Sequence, residues 1–212
     1  MKKFIIIFLP LIIVLLNSCL GASADITLRA DGSGKITLEY RVSQMLESIG
    51  RLDGNERWPA IPVGKADFER SLARIPGLRM KSFKASGAGH GADLVTKATL
   101  EFKDNGALLA FLDSTGGHAS LIQDNGKNTL RLVFADPSAG INDEDLLSLL
   151  REISAGYEIC FSLSAPGGAN LSVSPASFSA ARLVSQGKKV SFAIGLGDLL
   201  GLKDGLAVEI VW

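Results

Sequence analysis

Asp25-Ile26-Thr27-Leu28-Arg29-Ala30-Asp31-Gly32-Ser33-Gly34-Lys35-Ile36-Thr37-Leu38-Glu39-Tyr40 is the stretch that decides the fold class. Ile26 and Leu28 before the Asp31-Gly32-Ser33-Gly34 turn, and Ile36, Leu38 and Tyr40 after it, alternate with polar residues. A period of two puts alternate side chains on one face of a strand, and the glycine-rich turn reverses the chain. The stretch therefore predicts a hairpin with one apolar face. That face needs cover. Met45, Leu46, Ile49 and Leu52 recur at helical spacing behind Ser43, a suitable cap, and predict a helix to supply it.

The pattern continues outward from there. Residues 53–64 read as a loop, with Pro59 and Pro62 barring regular structure and Trp58 either pinning the segment to the core or standing out as a contact. Phe68, Leu72 and Ile75 mark a second helix, stopped at Pro76-Gly77. Leu78, Met80 and Phe83 predict a strand, residues 87–91 a loose turn, and residues 94–102 another strand. Asp104 is placed to cap a short helix whose Leu108, Phe111 and Leu112 face inward. Asp124-Asn125-Gly126-Lys127, between the apolar runs at 121–122 and 130–134, is a tight-hairpin signal, because Asn and Gly both tolerate positive φ.

Asn142 followed by Asp143, Glu144 and Asp145 puts a cap and negative charge at the positive end of a helix dipole. Leu146, Leu147, Leu149, Leu150 and Ile153 form the apolar face of that helix, and Gly156 ends it. Strands are expected at 157–163, 189–194 and 206–212, with a Gly-, Pro- and Ser-rich connection over 165–179 and one helical turn over 198–202. Hairpins interspersed with short helices favour an α+β fold, mostly antiparallel, over parallel βαβ units. Residues 25–212 are read as a single domain, with a sub-boundary considered near 135–141.

The amino terminus has a different composition. Lys2 and Lys3 precede an apolar run over 4–16 that contains Pro10, and Asn17-Ser18-Cys19 follow. This is a signal peptide's layout, and the run falls short of the roughly 20 apolar residues a spanning helix needs. Leu15-Leu16-Asn17-Ser18-Cys19 resembles the lipobox of bacterial lipoproteins. Asn17 departs from the usual small or apolar residue there, as in the relaxed spirochaete type. The resemblance implies cleavage before Cys19 and acylation of that cysteine. One acyl chain holds a membrane only reversibly, at about 0.8 kcal/mol per buried methylene, whereas two or three hold durably. Residues 20–24 are then a short tether. An ordinary secretory signal, cut after Ala22 or Ala24, stays open as the alternative, since Ala22-Ser23-Ala24 satisfies the small-residue rule.

With Lys2 and Lys3 removed, basic residues fall just below the 22 acidic ones, which gives no reason to expect nucleic acid or a polybasic membrane surface as partner. Of the two cysteines, an acylated Cys19 leaves Cys160 without a mate, so no disulfide scaffold is available. Stability must come from apolar burial, which a 47% hydrophobic composition can supply.

Gly195-Leu196-Gly197-Asp198-Leu199-Leu200-Gly201 imitates a nucleotide loop. Its spacing is one residue too long, and too little chain follows for a βαβ unit, so turn glycines are the better reading. His90, His118 and Cys160 show no metal-ligand spacing, and the acidic run at 143–145 lacks an EF-hand's alternation. No Gly-x-Ser-x-Gly elbow appears, and Cys160 reads as a half-buried structural thiol. No cofactor and no metal are expected.

The hairpin at 25–42 and the closing Val208-Glu209-Ile210-Val211-Trp212 strand resemble the LppM-like domain of bacterial lipoproteins. The resemblance covers two short stretches, implies an envelope-associated α+β domain, and transfers no active residue. The function expected is that of a non-catalytic lipoprotein held to an envelope membrane through Cys19, binding a protein or an amphiphile, with Trp58 as the contact residue. Two alternatives are kept. One is a surface-exposed, adhesin-like lipoprotein; the other is an enzyme assembled from His90, His118, Glu101 and Asp113.

Overall fold

The computed structural model describes residues 20–42, 65–87, 94–113, 116–135, 144–176, 178–202 and 204–212. The expected helix around Met45 to Leu52, the loop carrying Trp58, most of the 87–91 turn, the 136–141 connection and the Asn142 cap lie outside the described residues.

In chain order the elements are β1 (Leu20–Leu28), β2 (Gly34–Val42), α1 (Lys65–Leu72), β3 (Leu78–Ser86), β4 (Leu94–Phe102), α2 (Asn105–Leu112), β5 (Ala119–Asp124) and β6 (Lys127–Ala135). They continue as α3 (Glu144–Ile153), β7 (Glu158–Ser164), β8 (Asn170–Ser174), β9 (Arg182–Gln186), β10 (Lys189–Gly195), α4 (Leu196–Leu200) and β11 (Leu206–Val211). Seven strands form one sheet in the order β3-β4-β2-β1-β7-β10-β9, and four form another in the order β5-β6-β11-β8. Among the described residues β1 with β7 is the one parallel pair, so the fold is α+β with mostly antiparallel pairing.

The predicted alternation fixes which side chains meet. Ile26 of β1 stands opposite Ile36 of β2 and Leu163 of β7, and Ile36 in turn opposite Leu100 of β4. All four are fully buried. In the smaller sheet Leu132 is flanked by Ala119 and Val208, and Val208 by Val173. The two apolar faces share one core, in which Phe134 of β6 stacks on Phe192 of β10 with centroids 4.8 Å apart. Both sheets draw strands from either side of residues 136–143, through the β1–β7 and β6–β11 pairings.

Short helices cover what the sheets leave open. Phe68 of α1 lies against the rings of Tyr40 and Phe83, at 6.2 and 5.6 Å between centroids. Asp104 caps α2 as expected, its Oδ1 accepting the Ala107 N–H at 2.8 Å, while Leu108 is buried. The Asp31 carboxylate accepts from both the Ser33 hydroxyl and its N–H, which closes the first hairpin turn and holds the acid below its usual range. Asn125 and Gly126 both have positive φ, as the second hairpin requires.

Three differences from the sequence reading have physical causes. Residues 20–24, expected to be a tether, are the first half of β1. Their small side chains carry no strand signal, and the pairing of β1 on both edges overrides that weak propensity. The connection at 165–179 contains β8, whose Leu171 and Val173 alternate with polar residues over only five positions. β9 was not anticipated at all, because each of its residues is exposed and it pairs through its backbone as an edge.

The Thr96 hydroxyl is buried on the inner face of β4 with no hydrogen-bond partner. Thr96→Val keeps the β-branched shape and removes the orphaned polar group, which costs about 1–3 kcal/mol when unpaired. The variant is expected to unfold at a higher urea concentration than the wild type; a lower midpoint would show that the hydroxyl is satisfied in solution.

Candidate functional site

The most informative locality is the end of the large sheet where β1 starts. Leu20 pairs with Glu158 and Ala22 with Ile159, so Gly21 occupies a bulge. A Cβ on Gly21 would lie 3.0 Å from the Tyr157 Cβ and 3.1 Å from the Glu158 carbonyl oxygen, so the close approach calls for glycine. The Tyr157 N–H donates to the Ser154 carbonyl at 3.0 Å, and the Tyr157 carbonyl accepts the Leu196 N–H at 2.8 Å. The end of α3, the start of β7 and the start of α4 thus gather around the first residues of β1. Arg151 and Ser154 of this region face Gly197, and the Arg151 guanidinium lies over Gly201.

Cys19 lies outside the described residues.

The outer face of the large sheet is polar. Across β1, β7 and β10, the Asp25 carboxylate accepts from the Ser162 hydroxyl at 2.7 Å and from Lys189 Nζ. Nearby, Glu158 pairs with Arg182 at 2.9 Å and lies 3.9 Å from the Cys160 thiol. Burial, reinforced by the Glu158 carboxylate, pushes the Cys160 pKa up, which suits a structural thiol. Cys160 is therefore expected to react with iodoacetamide at neutral pH more slowly than free cysteine; a faster rate would mark it as activated.

Of the residues considered for catalysis, Glu101 and Asp113 each have a structural task, and the turn after α2 brings Asp113 beside His118. Glu101 on β4 is bound by Arg79 and Lys81 of β3, with the Arg79 hydrogen bond holding its pKa down. Asp113, just after α2, accepts the Ala119 N–H at 3.0 Å and the His118 N–H at 2.7 Å, closing the turn into β5. His118 is exposed. His90 and Trp58 lie outside the described residues. No group of three His, Cys, Asp or Glu capable of holding a metal occurs among the described residues. In the Gly195 to Gly201 stretch, Asp198 Oδ2 lies 2.9 Å from where a Gly195 Cβ would stand, placing a carboxylate at the start of the short α4.

The backbone N–H bonds to Asp113, Ala119 first and His118 next, hold its carboxyl below the ordinary value of 3.8. A lowered native pKa means that this contribution is complete above the unfolded value and is lost as the pH falls through the native one. Exchange of the Ala119 and His118 amides, followed by NMR or mass spectrometry, is expected to accelerate relative to the core strands over that acid range. Unchanged protection would refute the turn's dependence on the carboxylate.

The apolar face expected on α3 is present in the helix, and its leucines differ in burial. Leu147 is buried, but Leu146 is 45% and Leu149 50% exposed. A second surface feature is an open cleft of about 560 Å³ between α1 and β3, lined by Lys65, Glu69, Leu72, Ala73 and residues 78–83. Among the described residues no helix is long and apolar enough to cross a membrane. No protein-family model matches the chain, and no curated protein matches it in sequence.

Proposed function

We propose that the chain is a bacterial envelope lipoprotein, cut before Cys19 and acylated there, whose folded domain is non-catalytic and binds a protein or amphiphilic envelope component. The observation that supports this reading is the start of β1 at Leu20. Cleavage after Ala22 or Ala24 would remove three or five residues of a central strand that is paired on both edges. Cleavage before Cys19 leaves the strand whole. The pairing of residues 20–24 therefore favours the lipobox site over the alternative secretory sites.

The test is detergent phase separation of cells producing the wild type and a Cys19→Ala variant. The wild type is expected in the detergent phase, processed. The variant is expected to retain its leader, because processing at a lipobox follows acylation of the cysteine. A processed wild type in the aqueous phase would overturn the proposal. Protease treatment of intact cells then separates an outward-facing, adhesin-like domain from one facing the periplasm.

A further inference from the structure

We propose that β9 is an assembly edge, along which two copies of the chain pair antiparallel about a two-fold axis at Val184 and join their large sheets into one. The inference is independent of the lipid-anchor reading. Its first support is the backbone. The hairpin from β9 to β10 turns on Gly187 and Lys188 alone, so Gln186 and Lys189 form its closing hydrogen-bonded pair. Antiparallel alternation then directs the N–H and C=O of Leu183 and Ser185 away from β10, and among the described residues β9 pairs with β10 only. These groups are within reach of a partner, since every residue of β9 is exposed, Leu183 by 46% and Val184 by 42%.

The second support is the contrast with the other sheet edges. β3 carries Arg79, Lys81 and Lys84, and its register breaks between Met80 and Ser82; cations and a bulge both oppose addition of a further strand. β5 has α2 packed against it. β8 turns its aliphatic Leu171 and Val173 toward the core and exposes Asn170, Ser172 and Ser174. β9 has none of these devices. Its register with β10 is unbroken, it contains neither proline nor lysine, and its single charge, Arg182, is bound by Glu158 at 2.9 Å. An unguarded edge with an aliphatic side chain on each face is open to strand pairing.

The occupant follows from the sequence of the strand. Self-pairing at Val184 sets Leu183 opposite Ser185, and Arg182 opposite Gln186, of the second copy. Leu183 then exchanges both its N–H and its C=O with that Ser185, which uses the free edge groups of both residues, and no like charges face each other. The two Val184 side chains meet on the outer face, where Val184 stands beside Ser191. The two Leu183 side chains approach diagonally on the other face, beside Phe192. The same operation on β3 would crowd Arg79, Lys81 and Lys84 of both copies together. A second copy thus matches β9 in hydrogen bonding and in charge.

The experiment uses the full-length protein in detergent with Cys160→Ala and Val184→Cys, oxidised with copper phenanthroline and read by non-reducing electrophoresis. In a non-hydrogen-bonded antiparallel pair the Cα atoms are about 4.5 Å apart, inside the roughly 4.4–6.8 Å that a disulfide spans. Cys160→Ala alone reports any contribution from Cys19, and Ile122→Cys in the same background, 61% exposed on β5, reports random collision. The dimer band is expected to be severalfold stronger at 184 than in either control. Adding Ser185→Pro removes an N–H that only the second copy uses, and is expected to reduce the band severalfold while urea unfolding stays cooperative. Cross-linking at 184 no stronger than at 122 would overturn the proposal, whether or not the proline variant folds. An undiminished band in a folded proline variant would also overturn it, because the contact would then not be a backbone pairing.

Discussion

Gly34→Ala is expected to destabilise the fold by at least the upper end of the about 1–3 kcal/mol that overpacking usually costs, and to prevent folding if the strands cannot separate. A Cβ there would lie 2.2 Å from the Thr27 carbonyl oxygen and 2.3 Å from Phe102 Cζ. Neither neighbour has room to move. Thr27 belongs to the central strand β1, and Phe102 is buried at the end of β4, opposite Gly34 in the register. Relief would require β2 to part from both of its neighbours, against a total stability that is commonly only about 5–15 kcal/mol. Gly117→Ala is the control. Its φ is positive, at 86°, which that of Gly34 is not, yet nothing stands within 4 Å of the added atom, so only the backbone cost of about 1–2 kcal/mol applies there. Urea denaturation of the two variants measures the difference, and equal midpoints would show that the hairpin adapts where the packing says it cannot.

The second large effect concerns the start of β1. A chain beginning at Leu20 is expected to fold, whereas one beginning at Asp25 is expected to lose cooperative unfolding. Residues 20–24 contribute Ala22, Ser23 and Ala24 as partners of Tyr40, Glu39 and Leu38, and simultaneously pair with Glu158 to Phe161 on β7. Each backbone hydrogen bond contributes about 0.5–1.5 kcal/mol net, and the groups left unpaired in the sheet add a further penalty. The position matters more than the number of bonds. β1 joins β3-β4-β2 to β7-β10-β9, so shortening it weakens the sheet at its only parallel pairing among the described residues, leaving Asp25, Ile26 and Thr27 paired with β7. Near-ultraviolet circular dichroism and a urea titration of both chains provide the measurement. A cooperative transition in the shorter chain would remove the structural objection to cleavage after Ala24.

Much of this architecture could be read from residue patterns, for reasons that also explain the failures. The two hairpins were legible because Asp31 to Gly34 and Asn125-Gly126 each combine turn chemistry with flanking apolar alternation, and both signals are local. Asp104 was legible as a cap for the same reason. Residues 20–24 were not, because Gly21, Ala22, Ser23 and Ala24 are small residues that read equally well as a cleavage site or a tether. Their strand character comes from β7, more than 130 positions away. β9 was hidden because an exposed edge strand has no buried alternation to display. For α3 the leucines were correctly assigned to a helix, but sequence periodicity cannot tell which of them is buried; in the fold that is Leu147.

Cys19 was proposed as the acylated residue from its neighbours in sequence, whereas the arrangement of Gly21, Tyr157 and the end of α3 depends on contacts that no motif encodes. The histidine-and-carboxylate alternative could not be weighed from spacing alone; in the fold, Asp113 closes a turn and Glu101 bridges to β3.

Intact-mass measurement of the protein extracted from producing bacterial cells addresses the anchoring most directly. A polypeptide starting at Cys19 and carrying diacylglycerol on its thiol is the predicted species, with or without a further acyl group on the new amino terminus. An unmodified chain starting at Ser23 or Asp25, or one still bearing its leader, would contradict it.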